Sequence, residues 1–205
     1  MTRARSVADT TKTLSVDGGT IKLDGNYPTG TANVALGDTA LDDGSLSGGN
    51  NVAIGNAALT ANTSGSEGTA VGQGALSANT TGTQNTAVGR KALEVNSTGA
   101  GNTAVGQRAL DANTTASDNT AIGRAALGAN STGANNTAVG SGAANSTTTG
   151  SQNNAFGKNA LYTNQTGQNN VAMGENALYY NTASKNTALA ITLFSLTHLV
   201  LATRQ

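Results

Sequence analysis

The sequence contains no cysteine and no tryptophan, and only one proline and one histidine in 205 residues. Without cysteine, disulfides and thiolate metal sites are excluded. Aromatic residues make up 3% of the chain and charged residues 11%, where an ordinary domain carries about 25% charged residues. Eleven basic side chains balance eleven acidic ones. That balance removes the case for a charge-driven binder of nucleic acid or membrane surfaces. One histidine and few carboxylates leave little material for acid–base chemistry. The reading is therefore not an enzyme, with no catalytic residues, no cofactor, no metal site and no membrane insertion expected. What the chain does have is alanine, threonine, glycine and asparagine, which together supply 119 residues, or 58%. Such a composition also fits disorder; internal periodicity argues against it.

Glycines recur at Gly37, Gly55, Gly72, Gly89, Gly106, Gly123, Gly140, Gly157 and Gly174. The first step is 18 residues and the next seven are 17 each, and a degenerate tenth copy runs Asn186-Thr187-Ala188-Leu189-Ala190. The consensus is N-T-A-V-G-x-x-A-L-x-x-N-T-T-G-x-x. Tandem self-similarity at a fixed short period marks a solenoid. Two residues before each anchor glycine stands alanine, and one residue before it an apolar side chain such as Val88, Val105, Ile122, Phe156 or Met173. Threonine or valine before the alanine completes a short β-branched segment. Leucine follows four residues after most anchors (Leu76, Leu93, Leu110, Leu127), with Ala144 as the exception. N-T-T-G and N-S-T-G are turn sequences.

Two short strands and two turns per repeat describe an all-β parallel β-solenoid, or β-roll, of about nine 17-residue coils. Adjacent coils would lie about 4.8 Å apart, and the asparagines at the corners would form amide ladders. Alternation places the alanine and the following apolar residue on opposite faces. Val88, Val105, Ile122, Leu93, Leu110 and Leu127 are expected to point into the roll. The fixed alanines (Ala87, Ala104, Ala121) then face outward, against a neighbouring copy of the chain, which favours a homotrimer. The simpler reading is that small alanine is needed for close contact within one chain.

Residues 1–32 read as an N-terminal attachment segment with a β-hairpin: Leu14 and Val16, a turn at Asp17-Gly18-Gly19, then Ile21 and Leu23. Residues 1–12 hold basic side chains without an apolar run, so no secretory leader is expected there. The roll occupies 33–190. Residues 191–205 form an apolar C-terminal tail or cap; the apolar stretch from Ala188 to Ala202 is shorter than the roughly 20 residues of a membrane span. A membrane-active tail and a tail foreign to the repeat array are the alternatives.

The N-T-A-V-G-x-x-A-L-x-x-N-T-T-G unit resembles the repeats of bacteriophage tail-fibre shafts and related virion appendages. More distantly it is similar to the heads of trimeric autotransporter adhesins, whose V-A-I-G core matches Val52 to Gly55. The segments Met1 to Arg5 and Thr13 to Pro28 also resemble the openings of marine phage fibre-like proteins. The resemblance implies a left-handed β-roll, a homotrimer and surface attachment, with a virion or a bacterial cell surface as the location and a host-surface receptor as a partner.

Candidate sites carry little chemistry. His198 lies in the apolar tail with no Ser/Asp framework. Gly72-Gln73-Gly74 lacks the strand–loop–helix context of a phosphate loop. Asp42-Asp43-Gly44 reads as a turn rather than a weak Ca²⁺ site. N-x-S/T sequons at Asn62, Asn79, Asn96, Asn113, Asn130, Asn145 and Asn164 fall at the repeat corner, where turn chemistry explains them. Three function classes follow: a structural or adhesive virion fibre shaft, a fragment of a bacterial surface adhesin, and an ice-binding solenoid. The last rests on the rank Thr69, Thr86, Thr103, Thr120 and Thr137.

Overall fold

The computed structural model describes residues 21–22, 32–192 and 198–204, with side-chain surroundings from 32 to 190. Ten parallel strands stack in sequence order into one wall of a β-solenoid of about nine turns, and no helix occurs among the described residues. The strands are β2 (Val34–Leu36), β3 (Val52–Ile54), β4 (Thr69–Val71), β5 (Thr86–Val88), β6 (Thr103–Val105), β7 (Thr120–Ile122), β8 (Thr137–Val139), β9 (Asn154–Phe156), β10 (Val171–Met173) and β11 (Asn186–Thr192). Their register follows the repeat without a slip: Thr86 lies opposite Thr103, Ala87 opposite Ala104 and Val88 opposite Val105. At one end β1 (Ile21–Lys22) pairs antiparallel with β2. At the other, β12 (His198–Arg204) pairs antiparallel with β11 over seven residues. Both edges of the parallel array are thus occupied by strands of reversed direction. The rest of the expected N-terminal hairpin, including Leu14, Val16 and Leu23, lies outside the described residues.

Each coil contains one three-residue strand, not two. The Ala-Leu segment is a turn, and its leucine takes a left-handed conformation, with φ of 51° at Leu93, 51° at Leu110 and 50° at Leu127. Left-handed backbone is costly for a bulky side chain. It is held here by burial of the leucine, fully inside at Leu76, Leu93 and Leu110, and by the ladder between coils. Leu93 N–H donates to the Ala109 carbonyl and Leu110 N–H to the Ala126 carbonyl, each at 3.0 Å. The coils are therefore hydrogen-bonded along this wall too, without extended backbone.

The facing of the strand residues reverses the expectation. Ala87, Ala104 and Ala121 are fully buried inside the roll, while Val105 and Ile122 are 36% and 41% exposed on its outside, with Val88 half-buried there. The reason is the size of the cross-section. The rest of each typical coil already sends a leucine and two asparagines inward. The strand can add only a methyl group, since interiors pack to crystal-like density. The leucines do point inward, as the repeat predicts.

Buried asparagines replace a larger apolar core. In one ladder Asn79, Asn96, Asn113 and Asn130 each donate Nδ2 to Oδ1 of the asparagine one coil earlier, at 2.8 to 3.1 Å. Each also donates to the carbonyl three residues onward, as Asn96 does to Gly99 at 3.0 Å. In the second ladder the Oδ1 atoms of Asn85, Asn102, Asn119 and Asn136 accept the backbone N–H of the next asparagine in the rank. Buried amides are stabilising only when their donors and acceptors are matched, and the repeat matches them coil by coil.

The first ladder breaks at Thr147. Asn130 Oδ1, Thr147 Oγ1 and Asn164 Oδ1 are buried and without hydrogen-bond partners. Thr147 has no amide to donate back to Asn130, and Asn181, which would serve Asn164, turns instead to the Ala183 carbonyl. The same coil carries Ala144 in place of leucine. Thr147→Asn is expected to join the two halves of the ladder by restoring two buried hydrogen bonds. The gain should be about 1–3 kcal/mol, read as a higher denaturant midpoint with an unchanged slope.

Candidate functional site

The outward side of the parallel wall is the most distinctive surface of the molecule. Strand residues on either side of each buried alanine form two parallel ranks. One runs through Val52, Thr69, Thr86, Thr103, Thr120 and Thr137, which are half-buried. The other runs Leu36, Ile54, Val71, Val88, Val105, Ile122, Val139, Phe156, Met173 and Leu189. Its C-terminal end is the most exposed, Met173 at 45% and Leu189 at 47%. No charged residue interrupts either rank from β2 through Leu189. With strands about 4.8 Å apart, nine steps give an uncharged strip about 43 Å long. Uncharged surface this continuous makes the strip the candidate interaction face. Repeat reading located the rank but turned it inward. Its variation in size, from Val to Phe to Met, was the overlooked signal, because a core position of constant cross-section does not accept all three.

A second feature interrupts the turn corner. Side chains five residues after the anchors from Gly72 to Gly174 form the rank Ser77, Glu94, Asp111, Gly128, Asn145, Tyr162 and Tyr179. Gly128 leaves a notch of about 640 Å³ bordered by Glu94, Arg108, Asp111, Arg124 and Asn145. Arg108 Nε meets Asp111 Oδ2 at 2.6 Å. The hydrogen bond and charge of Asp111 raise the Arg108 guanidinium above its usual range. Lys91 meets Glu94 at 2.9 Å. The charges around the notch are thus largely matched in pairs.

The other sequence candidates separate in space. Gly72 and Gly74 direct their N–H groups to the Ile54 and Asn56 carbonyls of the preceding coil, at 2.7 and 2.9 Å. They have no free donors for a phosphate. The Asp43 carboxylate accepts the Ser45 N–H at 2.8 Å, and its hydrogen bonds from the Ser45 hydroxyl and backbone lower its pKa. This is turn chemistry. No group of three acidic or histidine side chains suited to a metal occurs among the described residues. Of the sequon asparagines at the repeat corner, Asn62, Asn79, Asn96, Asn113, Asn130 and Asn164 are buried in the ladder. Asn145 donates to the Ala125 carbonyl at 2.8 Å. A glycan on any of the six would require removing its amide from the core. His198 lies on β12 opposite Thr192. Among the described residues no helix is long and apolar enough to cross a membrane.

The geometry is that of a rod of stacked coils with one uncharged outer wall. A comparison with protein-family models, curated proteins and solved structures finds no match to this chain.

Proposed function

We propose that the chain is a structural, adhesive fibre shaft that associates with copies of itself into a homotrimer. Its place is a virion appendage of the tail-fibre kind, presenting or contributing to host-surface attachment. The supporting observation is the uncharged outer strip of Val, Ile, Thr and Leu on an unbroken parallel wall. A second copy is the natural occupant, because only another rod of the same pitch repeats its side chains in step along the whole strip. Each strand is three residues wide, so the strip is narrow. Three strips turned toward a common axis bury one another on both flanks, which two rods side by side do not. This replaces the buried alanine rank as the basis for assembly.

Sedimentation tests this reading. The parent chain is expected at the mass of a trimer, and Val88→Glu/Val105→Glu/Ile122→Glu at the mass of a monomer with its circular dichroism retained. A parent that remains monomeric at high concentration would overturn it. Mass spectrometry of purified particles then tests the location. A head fragment of a bacterial surface adhesin has the same architecture and is distinguished by finding the chain on cells instead of virions. The outward threonine rank supports a third reading, an ice-binding face. That reading requires a monomer with thermal hysteresis, abolished by the same three substitutions.

A further inference from the structure

The last two coils break the side-chain pattern of the turn corner. The position six residues after the anchor is Ala61, Ala78, Val95, Ala112, Ala129, Ser146 and Thr163 in the coils from Gly55 onward, but Tyr180 in the last. The preceding position changes to Tyr162 and Tyr179. Three of the chain's four tyrosines therefore meet at one end of one edge. Tyr162 and Tyr179 stack with centroids 5.0 Å apart and planes 9° from parallel. Tyr180 stands at 65° to Tyr179, centroids 4.7 Å apart. It is 85% exposed, so it contributes little to holding the coil together. Asn176, Tyr179 and Tyr180 line a recess of about 480 Å³.

We propose that this aromatic corner binds neutral carbohydrate, with a pyranose ring seated on Tyr180 and its hydroxyls meeting Asn176 and the phenols. The chemistry of the lining selects this class. Tyrosine offers a rigid, amphipathic surface at low entropic cost. A pyranose has the complementary form, an apolar C–H face with a rim of hydroxyls. Asn176 Oδ1 accepts from Asn159 Nδ2 at 3.4 Å, which leaves the Asn176 Nδ2 donor free. None of the three phenol hydroxyls has a hydrogen-bond partner among the described residues. No charged side chain lines the recess. The adjacent Glu175 is engaged by Lys158 at 3.2 Å, so a charged ligand finds no counter-charge. The recess lies within the usual size range of small-ligand sites. This inference does not depend on self-association of the rods.

Tyrosine fluorescence reads the site directly, because the chain has no tryptophan and three of its four tyrosines lie here. The full chain is titrated with cellohexaose, maltohexaose and mannohexaose, with tetramethylammonium as the cationic control. A saturable change is expected with at least one of the oligosaccharides and none with the cation. Tyr180→Ala should weaken binding about tenfold, the size of one lost ring contact. Its circular dichroism, melting temperature and sedimentation should match the parent, and Tyr180→Phe should retain the stacking contribution. No saturable response to any of the three sugars would overturn the proposal. So would undiminished binding by Tyr180→Ala, or a response to tetramethylammonium equal to that for sugar.

Discussion

Ala104→Asp is expected to unfold the solenoid locally or wholly, while Val105→Asp, one residue away, leaves a single chain folded. Ala104 is fully buried between Ala87 and Ala121 of the neighbouring coils, with no basic side chain in the core around it. A carboxylate there has neither water nor a partner. Its cost exceeds the roughly 2–7 kcal/mol of an unpaired neutral polar group. Native domains are stable by only about 5–15 kcal/mol. Nor can a solenoid route around the damage, because each coil contacts only its neighbours. The Val105 side chain is outside, 36% exposed, so an aspartate there reaches water. Its penalty should stay below about 1 kcal/mol in the monomer, as for other surface substitutions, and should appear as weakened association. Urea denaturation of both variants in a monomeric background measures the contrast. Equal destabilisation by the two would mean that the facing of the wall is not as described.

Gly89→Ala should be strongly destabilising for the addition of a single carbon. Gly89 has φ of +135°, a backbone conformation that side chains rarely adopt, and an ideal Cβ on it would lie 2.6 Å from the Gly106 carbonyl oxygen. That oxygen belongs to the backbone of the next coil and cannot swing away. Strain of this kind costs about 1–3 kcal/mol, and overpacking a further 1–3 kcal/mol or so. The loss should appear as a lower midpoint of thermal and urea unfolding. By contrast, Gly44→Ala should be close to silent, since a Cβ there meets nothing within 4 Å. A Gly89→Ala variant as stable as the parent would show that adjacent coils are not in close backbone contact at the anchor rank.

The 17-residue period by itself determined the parallel stack, its register and the number of coils, because only a repeating coil keeps identical residues in line over such a length. It also determined the asparagine ladders. An amide at a fixed corner of every coil has one neighbour in reach above and one below, so Asn96 and Asn113 could hardly do otherwise. The inward leucines were legible as well, since leucine recurs four residues after almost every anchor glycine. Period-two alternation placed Ala104 and Val105 on opposite faces but left open which face was the interior. Hydrophobicity alone favoured valine. Tertiary structure decided for alanine, because the buried leucine and asparagine ranks of the coil leave space for no more than a methyl group. The Ala-Leu segment reads as a strand from its side chains. The left-handed turn at Leu93 and its counterparts arises only when the coil must close within 17 residues, and its cost is met by burying the leucine. The outer apolar strip and the tyrosine corner are likewise products of the fold: Val105 and Ile122 become surface neighbours, and Tyr162 comes to stack on Tyr179, only when the coils are stacked.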